Sequence, residues 1–113
     1  MEADVIAKIK TAIPTAKVYH DVAPNSAAAP YVVIQRVGGE GHQYLDYQTP
    51  GAYQVRLQVA VWAADRLSAI RHSRAVESAL LELPAATSIG AAVAAHDPDA
   101  DLFGMRQDFY CLE

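Results

Sequence analysis

The sequence carries one cysteine, Cys111, which excludes an internal disulfide and any zinc site built from several thiolates. No apolar run approaches the ~20 residues of a membrane span. The N-terminal MEADVIAKIK is amphipathic and mixed in charge, unlike a secretion signal. Nine Lys and Arg stand against thirteen Asp and Glu, a formal net charge of −4. The nine are dispersed, whereas a protein that grips nucleic acid by its phosphates needs them clustered. Charged residues make up 19% of the chain, below the ~25% of ordinary globular domains, a deficit that fits a surface partly covered by a partner. These absences predict a protein that is made in the cytosol, stays off membranes and does not hold DNA tightly.

Signatures of chemistry are equally scarce. GGEG (38–41) follows a strand-like run, but the helix that would present N–H groups to a phosphate does not come after it. Asp97, Asp99, Asp101 and Asp108 copy part of a calcium-loop spacing. Leu102, however, stands where the sharp turn needs glycine, Pro98 intrudes, and no helices flank the segment; an acidic surface turn accounts for it. His20, His42, His72 and His96 lack ligand-pair spacing. There is no GxSxG elbow, and Cys111 on an apolar strand reads as a small buried hydrophobe. Catalytic, metal-binding and cofactor-binding residues are therefore expected to be none, and the chain is not expected to be an enzyme.

What the sequence does carry is periodicity. Its 113 residues suit one domain, 1–113, able to bury roughly two thirds of its unfolded surface. Val5, Ile6, Ile9 and Ile13 recur at helical spacing up to Pro14. A short strand, Lys17–His20, precedes the connector DVAPNSAAAP, and YVVIQRV (31–37) reads as a strand. AYQVRLQVAVWA (52–63) is the longest strand, and its residues alternate between two faces. Tyr53, Val55, Leu57, Val59 and Val61 form a core face; Gln54, Arg56, Gln58 and Trp62 form the other. Asp65 is placed to cap the next helix. Along it Leu67, Ile70, Ser73, Val76, Leu80 and Leu83 form an apolar stripe, and Arg66, Arg71, Arg74 and Glu82 lie on a solvated face. Residues 89–96 read as a weak strand and 104–113 as a terminal one.

The order predicts an α+β fold: an antiparallel sheet of about four strands with two helices packed on one face. The Gln54/Arg56/Gln58/Trp62 face is then left without a cover from its own chain. The Gly38–Gly51 stretch, with Tyr44, Leu45 and Tyr47, is longer than most hairpin loops and is expected to join that face in one assembly surface. The expected interface residues are thus Gln54, Arg56, Gln58, Trp62, Tyr44 and Tyr47, with Arg56 making forked hydrogen bonds to a neighbour's carboxylate.

The arrangement of these stretches resembles a known family. PYVV (30–33), QVAVWA (58–63), the helix after Ala64 and the DFY strand (108–110) are similar to those of the tail-completion proteins of long-tailed bacteriophages and prophages, which include tail-terminator and tail-to-head joining proteins. The resemblance covers nearly the whole chain but rests on structural patterns. It implies a virion protein of the tail, assembled in the bacterial cytoplasm without a cofactor, that self-associates into a ring, usually of six. It also implies a ring that caps the major tail tube protein, offers a docking surface to the head connector protein and lets DNA slide through. The alternatives are a head-completion or connector protein of similar fold, or a small ligand-binding α+β domain with its pocket between sheet and helices.

Overall fold

The computed structural model describes residues 2–42, 52–84 and 86–112. Seven elements follow one another: α1 (Glu2–Ala12), β1 (Lys17–His20), β2 (Tyr31–His42), β3 (Ala52–Ala63), α2 (Arg66–Leu80), β4 (Thr87–Asp97) and β5 (Leu102–Leu112). The strands form one sheet in the order β1-β2-β3-β5-β4. The fold is α+β, as the pattern predicted, but with five strands rather than four. The sheet is also mixed: β1 runs parallel to β2, and every other pair is antiparallel. The connector between β1 and β2 returns the chain to the end where β1 began, which makes the pair parallel.

Both helices lie on the face that the alternation of β3 marked out. Val55, Leu57, Val59 and Val61 are buried with Val32 and Ile34 of β2, Phe109 and Cys111 of β5, Val5 and Ile9 of α1, and Val76 and Leu80 of α2. Burial pushes the Cys111 thiol pKa up, consistent with an inert packing role. Asp65 caps α2 by accepting the Ser68 backbone N–H at 2.8 Å, and that bond holds its carboxyl below the ordinary pKa.

Three expectations are corrected and one is extended. The α2 stripe is narrower than its sequence suggests: Leu67 is 75% exposed and Ile70 half-buried, leaving Ala69, Ser73, Val76 and Leu80 as the inner line. Leu67 is two residues before Ala69, roughly 200° around the helix from that inner line. Arg66 is not on a solvated face, because the sheet edge supplies it with acceptors. The segment expected to be an excursion from Gly38 is strand as far as His42, with Gly38, Gly39, Glu40, Gly41 and His42 opposite Arg56, Val55, Gln54, Tyr53 and Ala52. Val37 is the extra residue of a bulge between Arg36 and Gly38, and Gly38 takes φ 126° there, a conformation side chains disfavour. Residues 89–96, read as a weak strand, belong to a full strand with a register break between Ile89 and Val93.

Candidate assembly surface

The other face of the sheet is built by the residues between the core positions. Register sets Tyr31, Trp62 and Gly104 side by side, then Val33, Ala60, Arg106 and Val93, then Gln58 and Asp108, then Arg56 and Tyr110. Tyr19 lies beside Val33 and meets the Tyr31 ring edge-on, with centroids 5.9 Å apart. The face is therefore graded, aromatic and apolar at the Tyr31–Trp62 end and polar at the Arg56 end. No helix packs on it among the described residues, since both helices are committed to the core face.

Each candidate residue on the described part of the chain falls on this face. Gln54, Arg56, Gln58 and Trp62 are all half-buried. Trp62 is seated on Gly104: a Cβ at that position would stand 2.8 Å from two atoms of the indole ring. The glycine is what lets the ring lie flat on the strand beside it. Arg56 meets a carboxylate of its own chain, as its Nε donates to Asp108 Oδ2 at 2.8 Å and its Nη2 reaches the same oxygen at 2.7 Å. This bond to Asp108 raises the guanidinium pKa further. The sequence expectation of a neighbour's carboxylate did not anticipate Asp108, which lies 52 positions away and is brought diagonal to Arg56 by the β3–β5 register. Tyr44 and Tyr47 lie outside the described residues.

Arg66 stiffens the site from behind. At the start of α2 it donates through Nη1 to Gly104 O at 2.6 Å and through Nη2 to Ala95 O at 2.7 Å. Its guanidinium carbon stands 5.2 Å from the Phe103 ring centroid, a cation–π distance. The planar fork thus holds β4, β5 and α2 together at the strand that carries the Trp62 ring. A glycine within a strand signals a close approach, so Gly104 was open to detection from sequence; Arg66 offered no local signal.

A groove of about 610 Å³ lies on the helix side, lined by Ile70, Ser73, Arg74, Glu77, Met105 and Gln107 among others. Gln107 donates there to Glu77 and to Gly90 O, so the buried polar groups satisfy one another rather than awaiting a ligand. Among the described residues no three His, Cys, Asp or Glu cluster as a metal site, and no helix is long and apolar enough to cross a membrane.

The family of tail completion protein gp17 matches this chain over residues 5–112. The chain belongs to that family. It is a phage structural protein, of a kind not normally enzymatic. Among solved structures the tail-completion chain is similar to one from the "Virion of native gene transfer agent (GTA) particle". The two share 14% identity at a TM-score of 0.59, over 99% of this chain and 92% of that one. At that identity the likeness shows a shared fold. No curated protein matches the chain.

Proposed function

We propose that the chain closes the end of a phage tail tube as an oligomeric ring, a hexamer, and presents a docking surface to the head connector. The observation that carries this reading is the graded sheet face in a tail-completion protein: Trp62, Tyr31, Val33 and Tyr19 form an aromatic and apolar end that neither described helix covers. Interface centres favour such aromatic anchors, ringed by polar groups. Gln54, Gln58 and the Arg56–Asp108 pair supply the polar end, with Arg56 41% exposed and able to add a forked bond to a neighbour. Tyr44 and Tyr47, outside the described residues, are proposed as further contact residues. The net charge of −4 suits a channel through which DNA slides without sticking. Neighbouring subunits bind weakly in free solution and close on the tube, because rings formed early would be unproductive.

Tails assembled without this protein and then mixed with the purified chain test the reading. Joining to heads and an end-on ring on the tube, seen by electron microscopy, are expected. Rings that seat on the portal side of heads and leave tubes open would assign the chain to head completion instead.

A further inference from the structure

We infer that the ring is closed by edge-to-edge strand pairing, β4 of one copy running antiparallel along residues 39–41 of the next. The inference rests on the ring reading above, adds which backbone groups join neighbouring copies, and leaves the open face as a separate contact surface.

Among the described residues the sheet has two free edges. On one side β1 pairs with β2 only as far as the His20–Ile34 pair, so no described strand lies beside Gln35–His42 on the side away from β3. On the far side no described strand lies beyond β4. An unpaired row of N–H and C=O groups is a template for another strand.

Register shows which groups face the open lanes. Ile34 O accepts from Asp21 N at 2.8 Å, on the β1 side, so Ile34 faces away from β3. A residue's N–H and C=O point to the same side of its strand, and successive residues alternate. Ile34 stands opposite Val59, so Gln58, Arg56 and Gln54 point toward β2, and β3 keeps an unbroken count along its ladders. Gly38 and Glu40, opposite Arg56 and Gln54, then bond inward, while Gly39 and Gly41 face the lane. The same count carried through β5 makes Gly104–Ala95 and Arg106–Val93 inward pairs. Gly104 O and Ala95 O are both reached by the one Arg66 fork, as two carbonyls between the strands must be. Ala94 and His96 therefore face outward. Within the stretches 39–41 and 94–96 each edge presents two outward residues at a spacing of two, and three of these four are glycine or alanine.

Direction and apolar exposure agree. Going from β2 through β3 and β5 to β4, each step is antiparallel, so β4 runs opposite to β2. Rotation about an axis along the strands preserves direction, and a neighbour's β4 arrives at β2 antiparallel. Two different surfaces meeting head to tail in this way generate a closed ring when the rotation between copies closes, as the ring reading requires. Two exposed large hydrophobic residues belong to these edge strands: Val37, at 41%, is the β2 bulge, and Val93, at 60%, is on β4. Edge strands that stay solvated carry charges instead.

The register pairs Gly41 with Ala94 and Gly39 with His96 of the next copy. A chain carrying Gly41→Cys and Ala94→Cys, oxidised both in concentrated solution and on tails, is expected to give a covalent ladder ending in a closed ring. Either single substitution should stop at dimer. Gly41→Pro removes an outward N–H and is expected to melt like wild type while losing about tenfold in assembly per joint, the size of one net hydrogen bond. Glu40→Pro removes an inward N–H and should lower the melting point. A double-cysteine chain that yields no more than its single variants overturns the inference, as does a Gly41→Pro chain that assembles at wild-type yield. If wild-type protein fails to complete tails yet the ladder forms, the capping role is lost and the edge pairing stands.

Discussion

The two faces of β3 are made by alternate residues of one strand and are held in different ways. Val55, Leu57, Val59 and Val61 are sealed by two helices into a single apolar cluster. Gln54, Arg56, Gln58 and Trp62 stay half-buried and find partners across the sheet: Asp108 for Arg56 and bare Gly104 for Trp62. The first face is cooperative, since each side chain touches many others and its loss leaves a void. The second is pairwise, and removing one member disturbs one neighbour. A face of the second kind can be solvated in the free chain and covered in an assembly without refolding.

The largest effect expected is at the sealed face, where Leu57→Ala should cost about 2–5 kcal/mol in denaturant unfolding. A loss well under 1 kcal/mol would mean that the core is not cooperative. Next is the one crowded point on the open face. Gly104→Ala should cost about 1–3 kcal/mol, because the new methyl displaces the Trp62 ring, and the Trp62 emission should shift with it. Gln58→Ala, on the same strand, should stay within about 0.5 kcal/mol of wild type. Arg56→Glu faces Asp108 with a second carboxylate, yet is expected to leave the chain folded by circular dichroism and to abolish tail completion. Wild-type completion by that variant would remove Arg56 from the contact.

The smallest effect is a pH dependence at the margin of the core face. Glu2, in the first turn of α1, accepts from Arg36 Nη2 at 2.5 Å and contacts His20. These bonds, Arg36 foremost, lower its pKa from 4.5. A carboxylate whose folded pKa is depressed contributes stability above its unfolded value and loses it as pH falls through the folded one. The difference in melting point between wild type and Glu2→Gln should therefore be constant at neutral pH and shrink on acidification below about 4.5. A difference that grows there would reverse the assignment.

Local periodicity made much of this legible in the sequence. The two-residue alternation of 52–63 separated the faces of β3, and Asp65 and Pro14 marked helix ends. The extension of β2 was not legible, because GGEG has poor strand propensity and is held by its pairing with β3 rather than by its own preference. Leu67 and Arg66 were misread for a related reason. A helical stripe gives spacing but not which of its residues the sheet covers: the sheet covers the Ala69–Leu80 line, leaves Leu67 out, and offers Arg66 the carbonyls of Gly104 and Ala95. The assembly surface was half legible: the open face followed from counting elements, whereas Asp108 and Gly104 became its partners only through a register set between distant strands.

Coverage of the open face on assembly, as proposed, can be followed through Trp62, the only tryptophan, without any substitution. Its emission and its quenching by acrylamide should be followed as tails lacking this protein are titrated in. A blue shift and a fall in quenching are expected, saturating together with the ring seen on the tube. Emission and quenching that stay unchanged while rings form on the tubes would contradict that coverage.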